Sequence, residues 1–301
     1  MGSEPRDHHW VPQFYLRNFA TDPEKLKICT VAKHGDRAVW ARRSIASTGF
    51  DRDFYLHRRQ GRPVSVEHEI NSSVETPISK SETWAKISSD KTAELDRSDK
   101  AVLYALIRHL HVRTPHFLGT LKELAQLSGS PQNEIPFTDD ERKYYTGLHT
   151  DPNLAKSVFN RTAASLDWTE GELRGAGLSI FRSPVPFFAT MPPVIAIKAP
   201  MHPALRLPLP GMTPTQLVLA LNPSTIASLV LADFDDAFLN MEISIDEACG
   251  FNRQFVAQFA YFKDFRHLIA PRENIIPELE WAGYRLVEDN DRRLKFQRFS
   301  S

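Results

Sequence analysis

SDKAVLYALIRHLHVRTPHFLGTLKEL, Ser98 to Leu124, is the stretch that decides the fold class. Val102, Leu103, Leu106, Ile107 and Leu110 recur three and four apart, the repeat of one apolar stripe on a helix. Ser98 and Asp99 are good N-cap residues, because their side-chain oxygens can accept the first unpaired backbone N–H groups. Pro115 cannot donate to the preceding turn, yet Leu118, Leu121 and Leu124 continue the apolar spacing. The pattern predicts a long helix kinked near Thr114.

The helical period continues on either side. Val66, Ile70, Val74 and Ile78 fall four apart, with Trp84 and Ile87 beyond, and Pro77 should kink or split that helix. A loop, SGSPQNEIPFTDDER, precedes a helix over about Asn153 to Leu166, and a last helix runs from about Ile245 to Leu268 with Phe251, Phe255, Phe259, Phe262 and Phe265 near its apolar face. Strand signals flank these helices. LKICTVA and RAVWARR surround KHGD, whose Gly35 and Asp36 supply hairpin-turn chemistry. Between Leu178 and Leu221 prolines separate short β-like runs, LSIF, PFFAT, VIAIKA and QLVLAL, and the tail WAGYRLVEDNDRRLKFQRF can pair as two strands around EDND. The expected fold is α+β: a helix-dominated single domain over residues 1–301 with a small N-terminal hairpin and a later Pro-rich β region. Residues 1–62 hold the hairpin, 63–170 the helical part, and 171–301 strands, the long helix and the C-terminal strands.

A chain of 301 residues can bury a real core without staples, and 42% hydrophobic with 25% charged residues is ordinary globular composition. Lys+Arg (37) balance Asp+Glu (37), so net charge does not favour a nucleic-acid partner, which would need a local basic patch. One run offers itself, Arg37 to Arg43 followed by Arg52, Arg58, Arg59 and Arg62, and is read as solvated loop and edge-strand charge. Cys29 and Cys249 are too few for a disulfide framework and read as free thiols. MGSEPRDHH lacks a signal-peptide core and no apolar run reaches membrane-spanning length, so no membrane partner and a cytoplasmic protein are expected.

Two polar clusters could carry chemistry. The first is DHHWVPQFYLRNFA, Asp7 to Ala20. Adjacent side chains point to opposite faces of a strand and lie about 100° apart on a helix, so His8 and His9 cannot clasp one metal as i, i+4 histidines do. One can act while the other anchors; Trp10, Val11, Phe14, Tyr15, Leu16 and Phe19 read as core, and Pro12 as the first residue of a short helix. The second is His109, His111, Arg113 and His116, in which Arg113 is either a buried partner of Glu69 or Glu75 or a clamp for phosphate or carboxylate. Dinucleotide, P-loop, zincin, thiol-redox and nucleophile-elbow motifs are absent.

The opening resembles the H-H-x-V-P-x-x-Y-L-x-x-F start of a widespread microbial family known only as domain of unknown function 4238. The resemblance rests on His8, His9, Val11, Pro12, Tyr15, Leu16 and Phe19, and extends to Phe54–Leu56, the acidic helix around Glu69 and Glu75, and Arg113, Thr114 and Pro115. It also aligns the family's T-S-D-x-P segment with Ala189 to Pro193, where Met191 replaces the carboxylate. The family implies positions and no activity. Three readings follow: a binding or regulatory protein of unknown partner; a metal-dependent hydrolase or nuclease; or a member that has lost activity at Met191. In the hydrolase, His8, His9, Glu69, Glu75 and Arg113 are the candidate catalytic residues, and His8, His9 and Glu69 the candidate ligands of a divalent metal.

Overall fold

In a computed structural model, the residues described are 7–22, 24–128, 138–165, 168–197, 216–231 and 236–299. Strand β1 (Asp7–His9) is followed by a hairpin, β2 (Lys27–His34) and β3 (Arg37–Ser44). His34 and Arg37 close its two-residue loop, and Gly35 takes φ +64°, as the first loop residue of such a turn requires. Next come β4 (Phe50–Arg52), β5 (Leu56–Arg59), β6 (Arg62–Ser65), β7 (Ala176–Arg182), β8 (Ala189–Met191), β9 (Val194–Ile197), β10 (Gln216–Asn222) and β11 (Thr225–Leu231). The last are β12 (Phe238–Glu242), β13 (His267–Ile269), β14 (Tyr284–Asn290) and β15 (Arg293–Arg298).

Two large sheets result. One has the order β12-β7-β11-β10-β9, antiparallel except where β12 lies parallel to β7; the other has the order β14-β15-β3-β2-β13-β8. Strands β7, β10 and β11 are buried almost throughout, which is why LSIF and QLVLAL read as continuous apolar runs and not as alternation. The smaller pairs are β1 with β4 and β5 with β6. One large hydrophobic cluster runs from Trp10 to Phe296, and a small second one holds Ala125, Leu148 and Ala155. The α+β class holds. No helix among the described residues is long and apolar enough to cross a membrane.

The helices are α1 (Gln13–Leu16), α2 (Glu67–Ile70), α3 (Thr76–Ser79), α4 (Glu82–Ser88), α5 (Lys100–Val112), α6 (Pro115–Ser128), α7 (Asp139–Thr150), α8 (Pro152–Ala164), α9 (Glu170–Gly175), α10 (Ile245–Tyr261) and α11 (Arg272–Trp281). Ser98–Leu124 is two helices, not one kinked rod. Arg113 leaves helical geometry (ψ 21°), the Thr114 hydroxyl accepts the Phe117 N–H at 3.2 Å, and Pro115 begins the new helix where its missing N–H costs nothing. Helix α10 stops at Tyr261, short of the expected Leu268. Phe262 is exposed, and the chain beyond it is taken into the six-stranded sheet as β13, between β2 and β8. Helix α7 occupies part of the expected loop; Thr138 and Glu141 cap its start reciprocally, a signal visible in TDDE. Residues 198–215 of the Pro-rich region and Leu166 lie outside the described residues.

Candidate functional site

Strand β1 sets the two histidines on opposite sides. His8 pairs with Asp51 and His9 with Phe50, and just beyond, the Trp10 and Val11 N–H groups both donate to the Gly49 carbonyl at 2.9 and 3.0 Å. Gly49 has φ +73°, and a Cβ there would stand 2.9 Å from Val11 Cβ, so this close approach needs glycine. Alternation then buries His8 and leaves His9 half-exposed.

His8 is held from two directions. The Tyr55 N–H donates to its Nδ1 at 2.8 Å, which places the ring proton on Nε2, 3.6 Å from a Glu67 carboxylate oxygen. The ring stacks on Tyr55 at 5.8 Å.

Arg113 binds this wall to the helices. It sits where α5 ends, a position that favours a cation, and is 1% exposed. Its Nε donates to the Tyr55 hydroxyl at 3.0 Å, Nη1 to Glu75 and to His109 Nε2 (2.8 Å), and Nη2 to the His9 carbonyl. The Tyr55 hydroxyl donates to the Arg113 carbonyl at 3.3 Å. Burial pushes the Tyr55 hydroxyl up to about 12 against the opposing pull of Arg113. Burial also works against the guanidinium charge, but Tyr55 and Glu75 outweigh it and raise the Arg113 pKa. Burial, then Arg113, drives His109 well below the ordinary histidine range. The expected pairing of Arg113 with Glu75 is therefore present. The expected clamp on a substrate anion is not, because the guanidinium faces protein on every side.

The other side of β1 is open. A cleft of about 320 Å³ is lined by His9, Gln13, Glu67, Asn71, Glu75 and Thr76, among others. Gln13 Nε2 meets His9 Nε2 at 3.2 Å. Burial lowers the His9 pKa despite the nearby Glu75 carboxylate. Burial raises the Glu67 pKa, with His8 and Arg113 pulling it down and Glu75 pushing it up.

A π turn, Asn71–Glu75, brings the two carboxylates onto one side. Eight residues overshoot two α-helical turns by most of a residue, and the wider π turn takes up that excess. Glu69, expected in the site, is two residues past Glu67, so it lies across the helix from it; it is exposed and appears in none of these contacts. The metal set of His8, His9 and Glu69 is thus not assembled. Among the described residues no three His, Cys, Asp or Glu side chains are grouped to hold a metal ion.

His111 and His116 stand apart from His109. His111 is packed on Phe117 and pushed down to about 4 by burial, while His116 lies 3.5 Å from Asp264 and beside Phe262 and Phe265. Met191 is buried beneath Gly49 and Val11. Tyr55, His109, Glu67, Gln13 and Asn71 were not assigned these roles from sequence. The signal for Glu67 was available: Val66, Ile70, Val74 and Ile78 repeat every four residues, a spacing that drifts off an α-helical stripe and fits a helix containing a π turn.

The family described as a protein of unknown function, DUF4238, matches over residues 7–195, the span that contains β1, the π turn, Arg113 and Met191. The chain belongs to this family. No curated protein and no solved structure matches it.

Proposed function

We propose that this DUF4238 protein is a binding or regulatory protein, in which His8 and Arg113 form a structural latch and the His9 side of β1 forms the ligand cleft. The observation that carries this reading is the division of donors. Arg113 spends its donors inside the protein, whereas His9, Glu67 and Glu75 face a solvent-connected cleft. Two carboxylates against one buried guanidinium, with Gln13 and Asn71 beside them, suit a small ligand that presents an amine or several hydrogen-bond donors. The continuous core supports a single domain over residues 1–301, and free Cys29 and Cys249 fit a reducing, cytoplasmic setting.

The test is thermal melting during titration with primary amines and spermidine, and separately with Mn²⁺, Mg²⁺ and Zn²⁺. Only a ligand that prefers the folded state raises the melting temperature. The expected result is a rise with an amine that is lost in Glu67→Gln and Asn71→Ala. No rise, or one indifferent to both substitutions, overturns the cleft. A metal-induced rise that depends on His9, together with phosphate-ester hydrolysis, would reinstate the hydrolase.

A further inference from the structure

The arginine run of the N-terminal hairpin does not end as edge charge, because β3 lies inside the six-stranded sheet between β2 and β15. Residues directly opposite one another on antiparallel strands share a face. Gln297 pairs with Arg37 and with Arg285, Lys295 with Val39 and Glu288, and Arg293 with Ala41 and Asn290. Arg43, two residues past Ala41 on the same strand, completes that face. One side of β14, β15 and β3 therefore presents Arg37, Arg43, Arg285, Arg293 and Lys295 together.

Few acids answer them. Lys295 takes Glu288, and Asp36 is used by the Gln297 side chain. Among the described residues, Arg37, Arg43, Arg285 and Arg293 have no carboxylate within ion-pair distance. Arg43 Nε is buried with no hydrogen-bond partner. His267, on the same face through Ala32, is pushed down to about 4 by burial first and then by Arg43, His34 and Arg266, so the positive field reaches across the sheet.

We propose that this face binds the phosphate backbone of duplex nucleic acid without reading its sequence. The six steps from Arg37 to Arg43 span about 20 Å and three strands about 10 Å, a strip comparable to a duplex in width. Arginine suits phosphate because its planar fork can bond two oxygens. Between the arginines the face offers Val39 and Ala41, not the row of aromatic rings on which single strands stack; Phe299, exposed at the strand end, already stacks with Arg285 at 4.5 Å. Chain neutrality does not oppose this, since phosphate neutralisation depends on local Lys and Arg.

The experiment is fluorescence anisotropy of the full chain with a labelled 20-base-pair duplex across a salt series, with a matching single strand and anionic phosphatidylserine vesicles as further arms. Four phosphate contacts predict a slope of log K on log salt of about −3 to −4. Arg37→Gln with Arg293→Gln should reduce its magnitude by about 2 and weaken binding on the order of tenfold or more, at unchanged melting temperature. Arg161→Gln, exposed on α8, should leave binding unchanged. Absence of salt-dependent duplex binding, equal loss in Arg161→Gln, tighter binding to the single strand, or vesicle binding without duplex binding would each overturn the proposal.

Discussion

His8 and His9 are neighbours in sequence and belong to two different regions of the molecule. On the His8 side the polar groups are turned on one another: Nδ1 receives the Tyr55 N–H, and Arg113 joins Glu75, His109, Tyr55 and the His9 carbonyl. On the His9 side a similar stock of residues lines a cleft and keeps acceptors toward solvent. Residue type does not separate a latch from a site. The number of partners already engaged does, because a buried group that loses its partner pays its full desolvation cost while a solvated one does not.

The largest effect that can break this contrast is at Arg113. Arg113→Leu strands Glu75 and removes the donors to His109 and the His9 carbonyl; removing one partner of a buried pair costs about 3–5 kcal/mol. Urea unfolding measures it. Combining it with Glu75→Gln should recover part, with a coupling of about 0.5–3 kcal/mol, whereas Glu69→Gln should simply add. Additivity at Glu75 would mean that the latch does not exist.

Acid comes next. His109, His111, His267 and His9 all have lowered pKa values, to about 4 for His111 and His267, with burial the leading cause. In the unfolded chain these rings protonate near 6.5, so between about 6.5 and 4 the unfolded state holds more protons and stability falls as pH falls. His111→Gln should flatten that limb. A stability profile level from pH 7 to 4 would contradict the burial of these rings.

The histidines themselves should differ. His8→Ala leaves the buried Tyr55 N–H without an acceptor and should cost about 1–3 kcal/mol. His9 is half-exposed and its ring meets Gln13 at the cleft edge, so His9→Ala should stay within about 1 kcal/mol. Equal losses would dissolve the distinction between the two sides.

The divergence of the pair was legible in the sequence because adjacency on a strand dictates it, and so was Arg113's need for a carboxylate. The choice of Glu67 over Glu69 was legible only in part, since the four-residue spacing of Val66, Ile70, Val74 and Ile78 signals a departure from the α period without saying where the π turn falls. The sheets were only half legible. Apolar runs such as QLVLAL announce strands, but nothing local says that Phe265 and Leu268 leave the helical period so that β13 can enter between β2 and β8. The basic face was equally hidden, because Arg37 and Arg293 are brought together by the register of β15 on β3.

The smallest effect sharpens the comparison most. Glu67 touches both sides, 3.6 Å from His8 Nε2 and lining the cleft. Burial raises its pKa above the ordinary 4.5, so whatever stability it contributes is present below that value and is lost as pH rises through the raised one. Glu67→Gln keeps the shape without the charge, and at pH 7 it should be neutral or stabilising by less than about 1 kcal/mol. Relative to wild type the variant should gain as pH rises from 4 to 7, whereas His111→Gln should gain relative to wild type as pH falls. The same variant should lose the amine-induced rise in melting temperature. A loss of more than about 1 kcal/mol at pH 7 would place Glu67 with the latch, leaving His9 and Glu75 to supply the cleft's chemistry.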